Sequence, residues 1–155
     1  MAKKPEARRS VARNRKARHE FLVLDELECG IVLTGTEVKS LRAGECTLQE
    51  AFCKIRGEAL WLLRAHIPEY RFGTNQNHDP MRERKLLAHG HQIRKWSKAV
   101  TEKGTTLVPL EVYFQGSKVK VLVGLVRGKK LHDKRQAVKA RDDRRDMDRA
   151  MNRRR

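Results

Sequence analysis

Charge is segregated along this 155-residue chain, and that decides which part of it can build a core. Residues 1–18 hold eight basic residues and one acid, a net +7. Residues 127–155 hold thirteen basic residues and five acids, a net +8. The stretch between them carries only +2 of the total +17. Both ends are poor in large apolar residues and cannot bury a core alone. The sequence therefore divides into a basic arm (1–18), a folded body (19–127) and a basic tail (128–155). A net charge of ~2–8 already keeps a small domain soluble, so +17 predicts a polyanionic partner that orders the mobile ends.

The body reads mostly as strands. HEFLVLDE (19–26) and GIVLTG (30–35) are apolar runs separated by a short turn. AFCKIRG (51–57) and ALWLLRA (59–65) flank Gly57-Glu58 as a hairpin. Val108, Leu110, Val112 and Phe114 alternate with other residues up to the turn Gln115-Gly116-Ser117; Val119, Val121, Val123 and Leu125 then return. In HQIRKWSKAVTEKG (91–104), Ile93, Trp96 and Val100 share a helical face, a core stripe that Gly104 can end. TEVKSLR (36–42) predicts a short helix. Six short strands with one clear and one short helix indicate a mainly β fold: a small antiparallel barrel of the oligonucleotide-binding (OB) type, with flanking helices. A long polar loop, 67–84, precedes Lys85 and carries Arg82 and Arg84, an edge suited to phosphate.

Several chemistries are disfavoured. Cys29, Cys46 and Cys53 form no Cys-x-x-Cys pair and are odd in number, which argues against a zinc ribbon or a secreted disulfide scaffold. No leader-like apolar stretch and no 18-residue apolar run occur, so the expectation is a cytoplasmic protein without signal peptide or membrane span. The pairs His78-Asp79 and His132-Asp133 could suggest acid–base catalysis. Adjacent side chains do not point at one another, however, and no phosphate-cradling glycine loop accompanies them. The reading is a non-enzyme without cofactor or metal. With 5% aromatic residues, the surface is not built mainly to stack bases. A basic ribosomal protein or RNA chaperone would share the same charge logic.

Four blocks separate these readings: NRKARHEF (14–21), GTEVKSLRAG (35–44), NHDPMRERKLL (77–87) and GKKLHDKR (128–135). Together, in this order, they resemble the SmpB family of SsrA-binding proteins. The resemblance implies a protein, expected as a monomer, that binds the tRNA-like domain of transfer-messenger RNA (tmRNA). It would accompany that RNA to stalled ribosomes, where elongation factor Tu with GTP joins through the aminoacylated RNA. The body would stand in for an anticodon arm, and the tail would enter the empty messenger channel and decoding centre.

Carried over by position, Glu28, Glu37, Val38, Lys39, Arg42, Leu87 and His89 belong to the RNA face; Ala88 stands where the family commonly has leucine. Lys39, Arg42, Arg82, Arg84 and Lys85 can pair with phosphates. A glutamate can instead accept from base amino groups or sugar hydroxyls. For Glu37 a surface salt bridge worth ~0–1 kcal/mol is an equal alternative. The resemblance assigns Lys129, Lys130, His132, Asp133, Lys134 and Arg135 to ribosome contact at the root of the tail, with Asp133, Lys134 and Arg135 supporting tag initiation. The remaining tail has i,i+4 pairs at Lys139–Asp143 and Arg144–Asp148. A free helix of this kind is marginal in water, so the expectation is a tail disordered alone and helical in an RNA-lined channel.

Overall fold

The structure, a computed structural model, describes residues 7–101, 104–129 and 131–153, with the backbone alone for 131–137. Seven strands are present among them: β1 (Arg8–Arg13), β2 (Phe21–Ile31), β3 (Phe52–Arg56), β4 (Ala59–Leu63), β5 (Arg84–Leu87), β6 (Thr105–Gln115) and β7 (Lys118–Gly128). The helices are α1 (Arg15–Glu20), α2 (Gly35–Arg42), α3 (Gly90–Val100) and α4 (Leu131–Arg153). All strand neighbours are antiparallel, in the order β1-β6-β3-β4-β5-β2-β7, and β7 pairs back onto β6. Six strands therefore close a ring, and β1 lies on β6. β6 serves two partners along one edge: Leu107 pairs with Cys53 of β3, and Glu111–Gln115 pair with β1.

Alternation along β7 builds one wall of the core, and in β6 the register shift after Pro109 switches which residues face it, from Leu107 to Val112 and Phe114. Leu107, Val112, Phe114, Val121, Val123 and Leu125 point inward to meet Cys29, Leu60, Leu62 and Leu86. The α3 stripe does what its spacing predicts: Ile93 and Trp96 are buried in the core, and Val100 packs against it. The Trp96 indole N–H also donates to Asp25 Oδ2 at 3.0 Å, which ties α3 to β2 where that strand bulges between Val23 and Asp25. A smaller apolar cluster lies under α1, where Ala17 meets Val108, Leu110 and Val126. The three cysteines are free thiols. Burial pushes Cys29 up to about 12 and Cys46 to about 11, and raises Cys53 as well, so all three stay protonated.

Three expectations change. Regular structure begins before residue 19, since Arg8–Arg13 is a strand on β6 and Arg15 begins a helix. RRSVAR hides this, since only Val11 and Ala12 reach apolar surface. Its arginines contribute through their planes instead: Arg8 lies 3.8 Å above the Tyr113 ring and Arg9 5.2 Å from that of Phe114. Second, 19–26 and 30–35 are not two strands about a turn; Phe21–Ile31 is one strand paired along β7. Third, Arg84–Leu87 is a strand between β4 and β2, too short and too charged to stand out in the sequence.

Pro109 sits in β6 without an N–H to donate, and the register to β7 shifts between Pro109 and Glu111. Asn14 serves that irregular place. Its amide donates to Pro109 O at 3.0 Å and Leu48 O at 3.3 Å, its backbone N–H donates to Leu110 O at 2.8 Å, and its Oδ1 caps α1 by accepting from Ala17 N–H. Asn14→Ala is expected to remove a cap and orphan a buried carbonyl, lowering unfolding free energy by about 2–4 kcal/mol. A fall in the urea midpoint at unchanged slope would record it, with Asn14→Ser, which keeps only the cap, in between.

Candidate nucleic-acid interface

The sequence Thr34-Gly35-Thr36-Glu37 starts α2 with a glutamate at the third helical position, and Glu37 Oε1 accepts from the Thr34 N–H at 2.9 Å. The same carboxylate holds two arginines. Arg82 donates to Oε1 from Nη2 at 2.5 Å and from Nε at 3.2 Å; Arg84 Nε donates to Oε2. Arg84 also reaches Ala65 O at 2.8 Å and Pro80 O at 3.2 Å, and Arg82 reaches Val32 O at 3.1 Å. Glu37 and Arg84 are wholly buried. Neither offers an atom to RNA, which corrects their assignment to the RNA face. Their charges are consumed inside, and this is not a surface salt bridge either. A third of the Arg82 side chain remains exposed.

Burial works to raise the Glu37 pKa, but hydrogen bonds from Arg82, the Thr34 N–H and Arg84 outweigh it and hold the carboxyl below its ordinary value. Stability from this group is therefore complete above the usual glutamate range and is lost as pH falls through the lowered value. Glu37→Gln is expected to cost about 3–5 kcal/mol at neutral pH, because it leaves Arg84 buried against no charge. In urea titrations across pH, the gap to wild type should narrow below roughly pH 4.3.

Above this buried cluster runs an open groove. Val38 of α2, Ile31 of β2 and Leu87 of β5 form its apolar side, and Lys118 and Lys120 of β7 its basic side. Gly30 pairs with Leu87, and a Cβ there would stand 3.3 Å from Leu87 Cβ, so glycine lets the two strands meet. Leu87 is left 52% exposed. Across Ser117 a second depression holds Arg42 and Arg9. Glu28 is exposed on the outer face of β2 and accepts from the Tyr113 hydroxyl. Burial first, and then this bond to Glu28, raise the Tyr113 pKa. Arg8 covers the same ring and is held by Glu111 at 2.6 Å.

Lys85 is exposed on β5 opposite Trp61. His89 caps α3, its backbone N–H donating to Gln92 Oε1 at 3.2 Å and its ring stacked on His91. Lys39 lies over Tyr70, 5.4 Å from the ring centre. Sequence reasoning passed over Arg9, Lys118, Lys120 and Tyr113. The lysines were legible, since both alternate with inward valines and so had to face outward.

The root of the tail lies elsewhere. Lys129 donates its backbone N–H to Glu20 O at 3.0 Å and its ammonium to Arg18 O at 3.3 Å. Lys130 lies outside the described residues. His132, Asp133, Lys134 and Arg135 are in α4, with side chains outside the described set. Arg141 reaches His19 Nδ1 at 3.0 Å, and the described side chains of 138–153 are exposed. The ion pair seen on α4 among the described residues is Asp146–Arg149, i,i+3, not the expected i,i+4 pairs. Exposed pairs gain too little in water to fix one geometry. The groove sits where Gly30 meets Lys120 and the tail leaves where Phe21 meets Gly128. At about 3.3 Å per residue these places lie roughly 25 Å apart along one ladder.

A closed six-strand ring with an apolar groove walled by lysines, and two arginines in the depression beside it, has the architecture of the small oligonucleotide-binding barrels. The SmpB protein family model matches residues 11–153. The chain belongs to the SmpB family. An SsrA-binding protein of Thermosynechococcus vestitus is 51% identical over 145 residues, 93% of this chain and 95% of that one. One of Kineococcus radiotolerans is 50% identical over 147 residues, 95% of this chain and 94% of its own. A solved chain described as "tmRNA-SmpB: a journey to the center of the bacterial ribosome" superposes with TM-score 0.67 at 45% identity, over 82% of this chain and 93% of its own.

Proposed function

We propose that this chain binds the tRNA-like domain of tmRNA through its groove face and delivers it to stalled ribosomes, with α4 entering the empty messenger channel and decoding centre. The observation that carries the reading is the separation of groove and tail root by the length of the β2–β7 ladder in a chain of the SmpB family. One compact body can hold one RNA at one end and address a second site from the other. In this reading Arg42, Lys39 and Lys85 meet phosphates, joined by Lys118 and Lys120. Val38 and Leu87 pack against sugar or base, and His89 borders them. Glu28 keeps one carboxylate oxygen for a base amino group or a ribose hydroxyl. His132 contacts small-subunit RNA, and Asp133, Lys134 and Arg135 support the start of tagging. The protein acts as a cytoplasmic monomer without catalysing a reaction, and elongation factor Tu with GTP joins through the aminoacylated RNA.

Gel-shift titration against tmRNA and total tRNA at near-physiological salt tests the binding half. Strong preference for tmRNA that survives deletion of 128–155 is expected; equal binding to both RNAs, lost with the tail, would leave only charge. Replacing Asp133, Lys134 and Arg135 together with alanine should leave tmRNA affinity intact and abolish tagging in a reconstituted translation assay. Arg42→Ala should weaken tmRNA binding and reduce the slope of log K against log salt by about 0.7–0.9 if it holds one phosphate.

A further inference from the structure

The most exposed large apolar side chain among the described residues is Phe72, at 77%. It stands in the loop 68–83 beside Tyr70, the rings edge-to-face with centres 5.7 Å apart. Arg71 between them is exposed.

The loop is long, yet it is built. Asn77 bridges its base, accepting from the Tyr70 N–H at 3.1 Å and donating to Tyr70 O at 2.9 Å. Buried His78 bonds Ile67 O at 2.8 Å with one ring nitrogen and Thr36 of α2 at 2.9 Å with the other. Ser40 of α2 donates to Pro68 O at 2.7 Å. Gly73 is required by close approach: a Cβ there would lie 2.4 Å from the Asn77 amide nitrogen and 3.0 Å from Tyr70 O. A chain that spends so many polar bonds on fixing a loop, and then turns a phenylalanine to water at its tip, has prepared a surface for a flat apolar group.

The surroundings are cationic. Lys39 approaches the Tyr70 ring from α2, and α2 also supplies Val38 and Arg42 to the groove face. We propose that Phe72, set by Tyr70 and the Asn77–His78 clasp, is a stacking platform for one unpaired RNA base, with Arg71 and Lys39 taking the flanking phosphates. An edge-to-face partner leaves a Phe72 face open for a base, and stacking on an aromatic side chain tolerates any base. The platform rests on the RNA-binding reading above and extends it to a site off the groove. Few aromatics in the sequence do not count against it, because one held base needs one positioned ring.

The test is a salt series of tmRNA titrations with the full-length protein. Phe72→Ala is expected to weaken binding roughly 5- to 100-fold, Phe72→Trp to restore it, and both to keep the wild-type salt slope, since stacking displaces no counterions. Lys39→Ala should instead lower the slope by about 0.7–0.9. Wild-type affinity in Phe72→Ala would overturn the platform. So would a loss that tryptophan does not restore, or a loss seen only in sedimentation with ribosomes, which would make the ring a contact for another partner. Equal binding of tRNA and tmRNA by wild type would defeat the functional reading alone, and the platform would then be judged by the same variants on tRNA.

Discussion

The geometry of the groove depends on one buried carboxylate. Glu37 closes the first turn of α2, holds Arg82 in the loop and holds Arg84 at the start of β5, residues 45 and 47 positions away. Without it, nothing so specific fixes α2 against β5. Taking Glu37 and Arg84 wholly out of water, and Arg82 in part, is costly, and an apolar cluster of equal volume could be as stable. What an apolar cluster lacks is direction. Guanidinium forks and a capped helix accept only one rotation of α2, and that rotation sends Val38 outward beside Leu87 and Arg42 into the neighbouring depression. Charge is used inside this protein to aim a helix and outside it to meet a polyanion.

The second organising element is the β2–β7 ladder. Its long pairing gives a stiff body between the groove and the tail. At the tail end, α1 receives Lys129 and Arg141, so the start of α4 leans on a helix that β1 and Asn14 hold in place. The N-terminal segment thus supports the direction in which the C-terminal one departs.

How much of this was legible depended on whether a residue's neighbours in sequence were also its neighbours in space. The α3 stripe and the alternation of β7 were plain, because such spacing reports burial directly; in β6 the row Val108, Leu110, Val112 and Phe114 is split by the register shift after Pro109, its first two residues lying in the cluster under α1. β1 was hidden because its partners lie in β6 and its apolar content is two residues. Glu37 and Arg84 were misplaced because charged residues are ordinarily at the surface, and a partner 47 positions away leaves no mark nearby. Part of the signal was present: threonine followed three residues later by glutamate is a helix-start pattern in which the carboxylate is already engaged. Of the residues singled out in the sequence, Val38 and Leu87 line the groove and Arg42 the depression beside it, while the two lysines on the opposite wall were passed over.

The pairing of β1 with β6 has a consequence for how the chain becomes a protein. Arg8 and Glu111 are 103 positions apart, and the two strands that close the ring, β6 and β7, come last before the tail. The first strand in the chain must wait for nearly the last, so closure is a late, long-range event of the kind that slows folding and leaves edges open in the meantime. A waiting strand of apolar residues would invite another chain to pair with it. RRSVAR does not, because its arginines repel their own kind until Tyr113, Phe114 and Glu111 arrive to receive them.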